Sequence, residues 1–177
     1  MMKHWVGILA WISVLAFATL GFSVAEASSA NIIIGHEVSD QGEQMDIVAG
    51  DAARVELWKT YVAAHNDRDV AAIRGMNGAG FKAWAANGQV IESTDAHMRF
   101  LEAWFASASP TWQFKYALAN DVIQADGTVQ HWVTSAYTVS QLVDGKWVKV
   151  EEMYDARIEQ GKIKYLLVAD RAVIDSE

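Results

Sequence analysis

Asp170 and a small set of histidines are the residues of this chain best equipped to move protons. Asp170 ends an apolar strand and shares a face with Leu166 and Val168. Apolar neighbours raise a carboxyl pKa, which suits proton transfer near neutral pH. Alternatively, Asp170 pairs with Arg171 or simply closes the strand end. His131 stands in mid-strand with Val129, Val133 and Tyr137 on its face and Trp132 on the other. If that face is concave, His131 and Asp170 form an acid/base pair across a pocket. His97 shares a helix face with Leu101 and Trp104, while His36 and His65 complete the histidines beyond residue 27. Each histidine taken singly also fits a structural role.

Trp84, Trp104, Trp132 and Tyr154, with Leu166 and Val168, would line an aromatic pocket for a flat apolar ligand. Core packing or a subunit interface would use the same side chains. Glu151 and Glu152 alternate faces and read as a solvated strand pair, one internal carboxylate being the other reading. No two His, Asp or Glu residues share an inward helix face at ligand spacing, and the chain has no Cys. No metal and no cofactor are therefore expected.

The elements that must position these residues follow from hydrophobic period. Val55, Trp58, Val62 and His65 recur at helical spacing from Asp51. Asp69 is placed to cap a second, short helix over 70–76, ended by Asn77-Gly78-Ala79-Gly80. Phe81 to Glu92 reads as a hairpin around Asn87-Gly88, and Ser93-Thr94-Asp95 opens a third helix running to about Ser107. Beyond Pro110 the period changes to two. Four strands are expected over 112–124, 129–139, 147–158 and 163–169. This is an α+β layout, a curved antiparallel sheet wrapped on three N-terminal helices.

Met1–Ala27 reads as a cleavable signal peptide: a basic head, an uncharged apolar run from Trp5 to Phe22, and an Ala25-Glu26-Ala27 exit. A membrane anchor is the competing reading, opposed by the terminal position and the small-residue exit. Residues 28–50 are expected to be an extended arm, with a short strand at Ile32–Ile34. Residues 51–177 form the domain. The charge of −8 disfavours nucleic acid and anionic lipid. Export without cysteine fits a bacterial periplasmic or secreted protein. Six of the eight Trp fall after residue 27, a heavy aromatic load for the 150 residues that remain.

The ordered elements resemble the nuclear transport factor 2 superfamily, which includes ketosteroid isomerases, scytalone dehydratase, limonene epoxide hydrolase and SnoaL-type cyclases. The resemblance rests on Trp58–Tyr61, Asn66-x-x-Asp69, Gly88-x-Val90-Ile91, Trp112-x-Phe114, and 158–163 leading to Asp170. It implies a cone whose open end is an apolar pocket. It also implies that Tyr61, eight residues before Asp69, occupies the place of an enolate-stabilising tyrosine, unless it is a core tyrosine. Asp170 matches the acid/base aspartate of SnoaL-type cyclases, and His97 a position usually apolar and inward-facing. The ketosteroid isomerase carboxylates fall near Ala85 and near Met153 or Tyr154, where this chain has none, so that mechanism is not expected. The expected function is binding of a small apolar or aromatic molecule, either as a cofactor-free lyase, isomerase or cyclase, or as a carrier or homo-oligomeric assembly module. A homodimer through the sheet is expected, with no membrane attachment after signal cleavage.

Overall fold

The computed structural model describes residues 32–173; the expected signal peptide at 1–27 lies outside them, as do residues 28–31 and 174–177. Two strands, β1 (Ile33–Val38) and β2 (Gln44–Ala49), precede helices α1 (Ala53–Asn66) and α2 (Val70–Met76). Strands β3 (Asn77–Trp84) and β4 (Val90–Ile91) lead to α3 (Thr94–Ala108). Four long strands close the chain: β5 (Thr111–Ile123), β6 (Val129–Val143), β7 (Lys146–Glu159) and β8 (Lys162–Ala172). All eight join one unclosed sheet in the order β1-β2-β5-β6-β7-β8-β3-β4. Only the β8–β3 pair is parallel. Register shifts between Phe114 and Tyr116 and between Arg157 and Ile158 mark bulges, the usual means of bending strands.

Strand alternation sorts the side chains. On β6, Val133, Ser135, Tyr137 and Val139 are buried against the helices, joined by Tyr154, Ala156 and Ile158 from β7. Trp58, Tyr61 and Val62 of α1 and Met98 and Leu101 of α3 fill the other side of this core. The helix ends are fixed by side chains. Asp69 and Ser93 accept hydrogen bonds from the amides of Ala72 and Ala96, and Ser109 takes a left-handed conformation before Pro110. Asn66 clamps α1 to the sheet: its amide nitrogen donates to the Trp112 carbonyl at 3.0 Å, and its oxygen accepts from the Trp112 amide at 2.8 Å. The Asn66-x-x-Asp69 motif is thus a clamp followed by a helix cap.

Three expectations need amendment. The segment 28–50 is no loose arm where it is described, because β1 and β2 form a hairpin whose second strand pairs with β5 and buries Met45 and Val48. Ile32–Ile34 contributes to that hairpin but stays exposed. Asn77 does more than end α2: it opens β3 and pairs with Ile163 across the parallel ladder. Strand β6 continues to Val143 rather than stopping at Val139.

Candidate functional site

Between the concave sheet face and the helices lies a cavity of about 350 Å³. Its buried end is made by Trp58, Tyr61 and His65 of α1 and by His97 of α3. Phe100, Leu101, Trp104, Trp112, Leu166 and Val168 supply apolar walls. Its open end is at Ala86 and Asn87 of the β3–β4 turn and at Asp170 of β8, all exposed. The turn is tight, with the Ala85 amide donating to the Gln89 carbonyl at 2.9 Å and Gly88 at φ +84°. Trp104 is held against the cavity by its indole N–H, which donates to Gln141 Oε1 at 2.9 Å.

One row of side chains crosses the concave face where β5 to β8 pair: Phe114, Tyr137, Glu152 and Asp170. Glu152 is only 7% exposed and stands directly opposite Asp170. Burial, with a smaller push from the neighbouring Asp170 charge, raises its carboxyl to about 7. Desolvation disfavours the ionised form, and two carboxylates opposed on one sheet face resist double ionisation. The Tyr154 hydroxyl donates to Glu152 Oε2 and accepts from the Trp112 indole N–H at 2.7 Å. That polarity leaves Glu152 Oε1 to carry the acid proton.

The adjacent Glu151 has the opposite fate. It points away from the cavity and is paired with Lys115 and Arg171, which hold its carboxyl below the usual range. Arg171 is therefore committed to Glu151, and Asp170 has no cationic partner among the described residues. The reading of both glutamates as a solvated pair holds for Glu151 and not for Glu152. A sequence signal existed: Glu152 shares strand parity with Tyr154, Ala156 and Ile158, all inward-facing.

Tyr61, His97 and Asp170 line the cavity, as do Trp104, Tyr154, Leu166 and Val168. His131 does not, and it forms no pair with Asp170. Asp170's row crosses β6 at Tyr137, six residues from His131, or ~20 Å at ~3.3 Å per residue. His131 instead meets Asp121 at 2.9 Å, and Asp121 also pairs with Arg54 at 2.5 Å. Trp132 falls on the convex face because its parity opposes Val133; there it borders a groove with Ile47, Val122 and Leu167. Trp84 is exposed and packs edge-on against Tyr165. His65, expected only as part of the apolar period of α1, also lines the cavity.

The two cavity histidines are uncharged. Burial lowers His65 to about 4, aided by the nearby Arg68 charge and opposed by its hydrogen bond to the Tyr61 carbonyl. Burial lowers His97 to about 3, with His65 contributing. Burial likewise raises Tyr61, so its phenol stays neutral. Among the described residues no group of three or more His, Asp or Glu is placed to hold a metal.

Solved structures share this architecture at low identity. A candidate polyketide cyclase from Xanthomonas campestris aligns with a TM-score of 0.55 at 16% identity, over 65% of this chain and 87% of that one. An LEH-like epoxide hydrolase from M. tuberculosis gives 0.54 at 11%, over 66% and 80%. A candidate SnoaL-like polyketide cyclase from Jannaschia gives 0.53 at 13%, over 66% and 83%. No protein-family model matches the sequence, and no curated protein does. The chain has the nuclear transport factor 2-like fold, an α+β architecture with its cavity between helices and curved sheet.

Proposed function

We propose that this is an exported, cofactor-free acid/base protein of the SnoaL-like type, acting on a small apolar or aromatic carbonyl compound held in the cavity. The observation that carries the reading is Glu152, a buried carboxyl raised to about 7 and set opposite Asp170 in an aromatic-walled cavity. In this scheme Asp170, at the open end, removes a proton from carbon next to the carbonyl. Glu152, protonated and oriented by Tyr154, donates its hydrogen bond to the oxygen on which charge develops. A lyase, isomerase or cyclase reaction would each begin with that transfer. A carboxyl raised by burial, facing a second carboxyl at the cavity's open end, is the arrangement such chemistry needs.

The test uses deuterium oxide. The protein is incubated with a panel of aromatic and alicyclic ketones, and loss of the acidic C–H signal is followed by NMR. Catalysed exchange that disappears in Asp170→Asn and Glu152→Gln, with ligand binding retained, is the expected result. Binding without exchange would instead make the protein a ligand carrier, which is the competing reading.

Export is proposed on the N-terminal pattern of basic head, apolar run and Ala-x-Ala exit, with a bacterial periplasmic or secreted location. A homodimer through the convex face is proposed on two rows of partners that cross β5 to β8: Tyr116-Ala136-Met153-Ala169 and Leu118-Thr134-Asp155-Leu167. Tyr116, Leu118, Met153 and Leu167 are each more than 40% exposed on that face, large apolar side chains around Thr134 and Asp155 that a second sheet would cover.

A further inference from the structure

The hydrogen bonds at the buried end of the cavity fix where the histidine protons sit. The Tyr61 hydroxyl donates to Asn77 Oδ1 at 2.8 Å, and Asn77 Nδ2 lies 3.2 Å from His97 Nδ1. An amide nitrogen only donates, so His97 Nδ1 is the acceptor and the single ring proton is on Nε2. His65 Nδ1 lies 2.8 Å from the Tyr61 carbonyl oxygen, which only accepts. His65 therefore carries its proton on Nδ1 and presents a bare lone pair at Nε2. One ring offers a donor and the other an acceptor, with centroids 5.9 Å apart. Both rings line the cavity, and neither Nε2 has a hydrogen-bond partner among the described residues.

We infer that His65 and His97 form a subsite for a hydroxyl group, His97 donating to its oxygen and His65 accepting its proton. This assignment rests on the cavity being a ligand site, as proposed above, and adds the class of ligand: a neutral aromatic alcohol, phenol or enol. A ketone oxygen accepts from His97 but leaves the His65 lone pair unanswered. A carboxylate places negative charge against that lone pair, and an ammonium offers His97 nothing to donate to. Only a group that both donates and accepts satisfies the pair, and a buried polar group left unmatched discriminates strongly between ligands. The surroundings fit an aromatic carrier of that hydroxyl: Trp112, which meets His65 edge-on at 5.6 Å, lines the same cavity with Phe100 and Trp104. Both rings stay neutral at physiological pH, in keeping with an uncharged guest. With the hydroxyl end anchored deep, the rest of the molecule extends toward Glu152 and Asp170.

The test compares 2-naphthol with 2-methoxynaphthalene at pH 7, two probes of the same ring system that differ in the ability to donate. Binding to the full chain is read from quenching of tryptophan fluorescence. The inference expects 2-naphthol to bind about tenfold more tightly or better, and expects that advantage to vanish in His65→Phe, which keeps an aromatic ring. Nitrogen NMR of the histidine-labelled protein should find His65 protonated at Nδ1 and His97 at Nε2. If His65→Phe fails to fold, the wild-type probe comparison and the NMR tautomers decide. Equal affinity for the two probes, or the reverse tautomer at either ring, overturns the hydroxyl subsite while leaving the cavity a ligand site. Binding of neither probe overturns both.

Discussion

Glu152 ties stability to pH in a direction that its environment sets. Its folded value of about 7 stands above the ordinary 4.5, so between these pH values the folded protein keeps a proton the unfolded chain has lost. Stability therefore falls as pH rises through that window, by about 3 kcal/mol in all. Glu152→Gln should melt higher than the wild type at pH 8, by roughly 5–10 °C, with the difference gone by pH 5. An unchanged melting temperature at pH 8 would mean that the carboxyl is better solvated than its burial implies. His65 and His97 act in the opposite sense. Their folded values, about 4 and about 3, lie below the ordinary 6.5, so the unfolded chain takes up protons first as pH falls. Their contribution is complete above pH 6.5 and declines as the medium is acidified toward pH 3. His97→Gln should flatten the acid side of a melting-temperature profile, whatever it does to stability at pH 7.

Between α1 and β5, two peptide groups of Trp112 are satisfied by one side chain, that of Asn66. Asn66→Ala leaves a part-buried donor and acceptor without their partner and is expected to destabilise by about 1–2 kcal/mol, read by urea unfolding. Because Trp112 also donates to Tyr154, the same change should loosen Glu152, so catalysed exchange should fall in Asn66→Ala even under conditions where it remains folded. The elements carrying this clamp were legible in the sequence. Helical spacing located α1 and α3, the Asn87-Gly88 turn located the β3–β4 hairpin, and the change to period two located the long strands. The β1–β2 hairpin was not, because its apolar residues Ile32–Ile34 stay exposed and its buried residues Met45 and Val48, three apart, have opposite strand parity and so leave no period of two. Its place beside β5 is a long-range pairing that no local period records.

For the whole molecule, the convex face makes the dimer testable. Analytical ultracentrifugation of the wild type should report a dimer, and Met153→Lys should shift it to a monomer, by placing a charge in the centre of the apolar rows. A wild-type monomer at micromolar concentration would remove the sheet-to-sheet assembly. For export, mass spectrometry of the protein recovered outside the cytoplasm should find Ser28 as its first residue. Recovery of the intact chain in the membrane fraction would favour the anchor reading of Met1–Ala27.

The sequence alone determined the fold class and the order of helices and long strands through local spacing and turn chemistry; strand and helix parity singled out Asp170 and His97, and the family resemblance added Tyr61. The tertiary structure decided which candidates meet. His131 and Asp170 have strand parities compatible with one face, but register along β6 holds them ~20 Å apart. Glu151 and Glu152 are the same residue type one position apart, and only the packing of the helices over one sheet face makes one a solvated ion-pair member and the other a buried acid. Tautomers lie still further from the sequence. They depend on which atoms of Tyr61 and Asn77 reach the two imidazoles, a matter of ångströms set by the closed core.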